Sequence, residues 1–155
     1  MRGAGLPISL DRAILRRAMS QENVEIVHAV YEAWNSGDMD ALREVCDPDV
    51  IMRVPKGWPE PGPFVGREAV MRLFEQWRET FDTYVTELIG DIIEAADRVV
   101  VRQVWHGVGR GPEAHVESTV VFTLREGKVS YVEQFWDYAA VLETLGLSEQ
   151  DAHAD

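Results

Sequence analysis

From position 20 onward the apolar residues Val24, Val27, Tyr31 and Trp34 recur every three or four positions, the spacing that keeps one helical face against a core. Ser20 can accept from a first-turn amide and Glu22 suits the positive end of the helix dipole, so the pattern predicts a helix over residues 20–35. Gly37 supplies a left-handed stop, and Asp38 can cap a second, short helix carrying Met39, Leu42, Val45 and Cys46, ended by Asp47-Pro48-Asp49. A third helix starts at Arg67 and places Val70, Leu73, Phe74, Trp77 and Phe81 along one stripe.

The intervening and remaining chain reads differently. Residues 50–54 form a short β run, followed by a loop in which Pro55, Pro59, Pro61 and Pro63 forbid regular hydrogen bonding. Residues 84–95, 98–107, 114–124 and 129–137 are long β-rich runs joined by connections short enough to require antiparallel neighbours. Val141, Leu142, Leu145 and Leu147 mark a last helix or turn broken by Gly146. Three helices, a short strand and a four-strand meander make a segregated α+β domain, and strands this long must coil around the helices, which leaves room for a pocket.

The second long strand is apolar on both sides, with Val99 and Val101 pointing one way and Val100, Val104 and Val108 the other. Helices cover one sheet face, so the other needs a partner, and a homodimer through the outer face is the expectation.

A chain of 155 residues is one domain, with residues 19–147 as the core domain, 1–18 as an arginine-bearing N-terminal extension and 148–155 as a tail. The formal charge of -12 repels phosphate backbones and anionic headgroups, so neither nucleic acid nor a membrane is the expected partner. Nothing in the sequence reads as a membrane span or a secretory signal, and a cytoplasmic location is expected. Cys46 is the only cysteine, which excludes an internal disulfide. No metal or phosphate-binding motif is present, and no cofactor is expected.

Three stretches carry a family resemblance: Ser20-Gln21-Glu22-Asn23-Val24, the run Tyr31-Glu32-Ala33-Trp34-Asn35-Ser36-Gly37-Asp38-Met39-Asp40-Ala41-Leu42, and Asp47-Pro48-Asp49-Val50. With Phe64-Val65-Gly66-Arg67-Glu68-Ala69-Val70, the hairpin at 122–129 and the segment at 141–147, they resemble the SnoaL-like branch of the nuclear transport factor 2-like superfamily. The resemblance implies a cone-shaped fold, in which a curved antiparallel or mixed sheet wraps around three N-terminal helices. It leaves function open, because that cone hosts isomerases, cyclases, epoxide hydrolases and proteins without a reaction.

Position by position, the resemblance puts Val54 where ketosteroid isomerases keep their base and Val30 where they keep a tyrosine, while Glu117 retains a carboxyl group at the third role. Limonene-type epoxide hydrolases need an Arg-x-Asp and a second Asp, where this chain has Arg102-Gln103-Val104 and Gln134. SnoaL-like cyclases place a carboxylate on the next-to-last strand near a histidine, and His106, His115 and Glu117 occupy that neighbourhood.

His115, Glu117 and Thr119 share one strand face, neighbours on it being roughly 7 Å apart. The superfamily comparison turns that face inward, making Glu117 an acid/base assisted by His115, with Trp34, Trp58, Gln103, Trp105, Thr119, Val132, Gln134 and Trp136 as pocket wall and Trp58 as a loop lid. Plain alternation reads the other way, since Val116, Val120 and Phe122 on the opposite face are more apolar and would put Glu117 in water. The resulting expectation is uptake of a small hydrophobic molecule, with cofactor-free acid/base turnover of cyclase or isomerase type, or alternatively a nonenzymatic binding or dimerisation scaffold.

Overall fold

The computed structural model describes residues 8–146. The elements run α1 (Ile8–Ser36), α2 (Met39–Val45), β1 (Cys46–Arg53), β2 (Phe64–Val65), α3 (Arg67–Thr80), β3 (Thr83–Ala95), β4 (Arg98–Val108), β5 (Ala114–Arg125), β6 (Lys128–Phe135) and α4 (Tyr138–Thr144). All six strands belong to one open sheet in the order β2-β1-β6-β5-β4-β3. The meander β3 to β6 is antiparallel throughout, as the short turns require, and β1 joins its end by pairing parallel to β6. The architecture is α+β, a curved and unclosed mixed sheet with helices packed into its hollow.

Two boundaries differ from the sequence pattern by four residues or more. α1 begins at Ile8, not at Ser20, because residues 8–19 contain neither Gly nor Pro and are rich in Ala, Leu and Arg, all strong helix formers that carry the helix through the capping signal. β1 begins at Cys46, four residues before the expected strand, and takes in the Asp-Pro-Asp segment through an irregularity between Cys46 and Ile51. Leu147 lies outside the described residues.

Irregularities recur in β3 between Ile89 and Ile93 and at Thr123 and Leu124 of β5, where the added twist bends the sheet. The concave face meets α1 and α3 in the main core, built on Val27, Tyr31, Val50, Met52, Val70, Leu73, Val99, Val101, Val120 and Phe122. Asn35 fixes the end of α1 to β3 at two points, its Nδ2 donating to the Thr86 carbonyl at 2.9 Å and its Oδ1 accepting from the Thr86 amide at 2.8 Å. Gly37, at φ 80°, then turns the chain, and the Asp38 carboxylate caps α2 by accepting from the Ala41 amide at 3.0 Å.

The convex face is only partly bare. Asp137 caps α4 by accepting from the Ala139 amide at 2.9 Å, and α4 then lays Val141 and Leu142 on Ile93, Val100 and Val121. The apolar patch that alternation leaves on the outer side of β4 is therefore covered at Val100 by the chain itself, whereas Val108 and the neighbouring Val85 remain about half exposed.

Candidate functional site

The concave side of the sheet and the helices inside it enclose a cavity of about 400 Å³. Strand alternation decides which residues reach it. β4 contributes Gln103 and Trp105, β5 contributes Ala114, Val116, Ser118, Val120 and Phe122, and β6 contributes Val132 and Gln134. The register agrees, since Gln103 pairs with Ser118, Trp105 with Val116 and Phe122 with Val132 across the ladder. α1 adds Tyr31 and Trp34, α3 adds Phe74 and Trp77, and the loop after β1 adds Trp58 and Glu60.

The same alternation sends His115, Glu117 and Thr119 to the convex side. The inward orientation expected from the family comparison is corrected here: the β5 row facing the cavity is Val116, Ser118 and Val120, because the more apolar row of the strand goes to the helices. Glu117 is 57% exposed and meets Arg102 at 3.5 Å. His115 is exposed and contacts His106 edge-on at 4.6 Å between ring centroids, while His106 Nε2 stands 3.6 Å from Glu87. Thr119 is buried, outside the cavity wall, in register with Arg102 and Phe135. The structure thus puts Trp34, Trp58, Gln103, Trp105, Val132, Gln134 and Trp136 on one wall and separates His115, Glu117 and Thr119 from them.

In their place the cavity holds a polar line absent from the sequence reading. The Tyr31 hydroxyl donates to Gln103 Oε1 at 2.6 Å, and Gln103 Nε2 donates to Ser118 Oγ at 3.0 Å. Burial alone raises the Tyr31 pKa, so the phenol stays protonated and acts as a donor. The line ends in the Ser118 hydroxyl, whose own proton is free to be given to a guest. Tyr31 was legible only as an apolar helix position, and Ser118 sits as one small residue in a row of valines; the single polar break in that row was the available signal.

Aromatic rings make up much of the rest. Trp58 meets Trp77 at 5.8 Å and Trp136 at 5.9 Å, Trp34 meets Phe74 at 5.6 Å, and Phe81 meets Trp105 edge-on at 4.7 Å. Gly107 permits the last contact, since a Cβ there would fall 2.8 Å from the Trp105 ring and 2.9 Å from Phe81. Cys46 also faces the cavity, and burial pushes its thiol up to about 11, which keeps it protonated and poorly nucleophilic at neutral pH. Glu60 is the one carboxylate among the lining residues, and no Lys, Arg or His is among them. Among the described residues no three His, Cys, Asp or Glu side chains are grouped so as to hold a metal ion, and no helix is long and apolar enough to cross a membrane.

Known proteins with this shape are numerous. Bal32a, from a soil-derived mobile gene cassette, superposes with a TM-score of 0.70 at 26% identity over 75% of this chain and 89% of its own. A candidate polyketide cyclase from Sinorhizobium meliloti gives 0.60 at 26% identity over 71% and 93%. An NTF2-like protein of unknown function from Burkholderia pseudomallei gives 0.67 at 20% identity over 80% and 97%, a likeness of fold. The comparison with curated proteins finds no match. A family profile described as SnoaL-like domain matches residues 27–132, the stretch from the buried face of α1 to the cavity side of β6, and the chain belongs to that family.

Proposed function

We propose that the cavity takes up a small, neutral, mostly hydrophobic molecule and anchors one polar group of it on the Gln103–Ser118 pair. The observation that carries this reading is the composition of the wall: an apolar and aromatic enclosure of about 400 Å³ with one built polar line, Tyr31 to Gln103 to Ser118, inside it. The volume suits a ligand of a few fused rings, and the absence of cationic groups from the lining disfavours an anion. Membership of the SnoaL-like family and the likeness to a candidate polyketide cyclase support a small molecule of the cyclase or isomerase type as guest.

Turnover is a second reading, favoured by the position of Glu60 on the cavity wall. A carboxylate there can take a proton from a carbon acid while the Ser118 hydroxyl donates to the developing oxyanion, with no cofactor needed. Glu60→Gln then abolishes turnover and leaves uptake intact, whereas a binding module is indifferent to the change.

Native mass spectrometry of the purified protein tests uptake, with the neutral dye N-phenyl-1-naphthylamine as a second probe. A retained apolar compound, or dye fluorescence that Val116→Trp removes, is the expected result. Protein that carries nothing and leaves the dye dark overturns the reading. We also propose self-association through the part of the convex face left bare by α4, where Val85 and Val108 are about half exposed; sedimentation of Val85→Glu as a monomer beside a wild-type dimer would bear on it.

A further inference from the structure

The rings of Trp58 and Trp77 line the cavity, and their indole N–H groups are buried within the wall without a hydrogen-bond acceptor. Buried donors of this kind are rare in folded proteins, because each has given up water without replacement. The third indole of this cluster behaves differently, for Trp136 Nε1 donates to the Lys56 carbonyl at 3.0 Å. The two rings that carry the unmet donors meet edge to face at 5.8 Å between centroids, one from α3 and one from the loop after β1. That loop is the least embedded part of the wall: Lys56, Gly57, Pro59, Pro61, Gly62 and Pro63 are all exposed, and space beside Gly57 is open.

The remaining lining residues restrict what can meet these donors. An anionic acceptor finds no Lys, Arg or His among them and would face Glu60. The acceptor must therefore be neutral, and it must sit on a skeleton flat enough to lie among Trp34, Phe74, Trp77 and Trp105. A carbonyl oxygen conjugated to a ring system has this chemistry: two lone pairs, no charge, a planar apolar body.

We infer that the guest is a neutral conjugated carbonyl compound with a carbonyl oxygen, separate from the polar group anchored on Gln103–Ser118, that is held by the indole N–H groups of Trp58 and Trp77, the Trp58 loop shifting to uncover both donors. The inference rests on the cavity being a binding site and adds the class of ligand and the residues that select it. Trp58 and Trp77 are then specificity determinants, distinguishing a ketone from the hydrocarbon of the same shape.

The test compares 9-fluorenone with fluorene, which differ by that oxygen alone, on the full-length protein. Titration calorimetry should give tighter binding of the ketone. In a ¹⁵N-labelled sample two of the five tryptophan indole N–H signals should move downfield with fluorenone and stay in place with fluorene. Trp58→Phe and Trp77→Phe should each weaken fluorenone by about fivefold and change fluorene by less than about twofold, the scale of one neutral hydrogen bond. Should either variant fail to fold, the indole signals of the wild type decide alone. Indole signals that stay in place with bound fluorenone, whatever the two affinities, overturn the inference and leave cavity binding standing. Failure of both compounds and of N-phenyl-1-naphthylamine to bind removes the binding reading and the inference together.

Discussion

Tyr31 of α1 and Gln103 of β4, 72 positions apart, are joined by a 2.6 Å hydrogen bond inside the cavity. It ties helix to sheet and holds the amide so that its nitrogen is turned to Ser118. Tyr31→Phe leaves Gln103 Oε1 without its donor in a buried setting, which should cost about 1–3 kcal/mol of unfolding free energy. Gln103→Leu in the Tyr31→Phe background should cost less than in wild type, with a coupling of about 0.5–1.5 kcal/mol in a urea-unfolding double-mutant cycle.

Glu117 faces solvent beside Arg102, and both partners are more than a third exposed. Exposed pairs contribute little, so Glu117→Gln should change stability by less than about 1 kcal/mol. Dye uptake should be the same as wild type. A large loss of binding or turnover in this variant would contradict the strand orientation described above.

That orientation has a paired test in two positions of β5, three residues apart and on opposite faces. Val116→Trp points into the cavity and should reduce dye uptake at least about tenfold by filling it. Thr119→Trp enters a buried site on the other side of the strand and should cost about 1–3 kcal/mol by overpacking while the folded fraction still takes up dye. Fluorescence titration and thermal unfolding of the two variants separate the outcomes.

Cys46 makes stability fall in alkali. Its thiol is raised by burial to about 11 in the folded protein, whereas an unfolded chain ionises near the ordinary value of about 8.5–9. The folded form is favoured below the unfolded pKa, and the advantage is lost as pH rises toward 11, by about 2–3 kcal/mol in full. Tyr31, also raised by burial, adds a loss of the same sign once exposed phenols ionise near 10. Urea midpoints at pH 8 and pH 10.5 should show the decline, and Cys46→Ala should flatten the part that begins near pH 9.

The elements that were legible in the sequence are those with strong local periodicity. The stripe Val70, Leu73, Phe74 and Trp77 lies where a helix on a sheet should lie, and the four β runs became β3 to β6 with ends moved by one or two residues. The inward face of β5 was legible too, from its valines, but the family comparison pointed the other way and a one-residue slip exchanges every side chain between faces. Trp34 and Trp58 could be placed on the wall because large rings need burial, and Trp105 and Trp136 from the superfamily comparison, although Trp136 stays about half exposed at the rim. The Tyr31 to Ser118 line could not, since a hydrogen bond over 72 positions leaves no trace in spacing. The parallel pairing of β1 with β6 was hidden for the same reason.

That pairing has a bearing on biosynthesis. β1 is complete at Arg53, yet its long neighbour, reached at Tyr131, Val132 and Glu133, leaves the ribosome some eighty residues later. Until then the first strand has only the two-residue β2 beside it, and the sheet that encloses α1 and α3 is incomplete. The nascent chain therefore spends most of its synthesis with exposed greasy surface, and a transcript cut short before the β6 codons yields a product bound for chaperones or degradation.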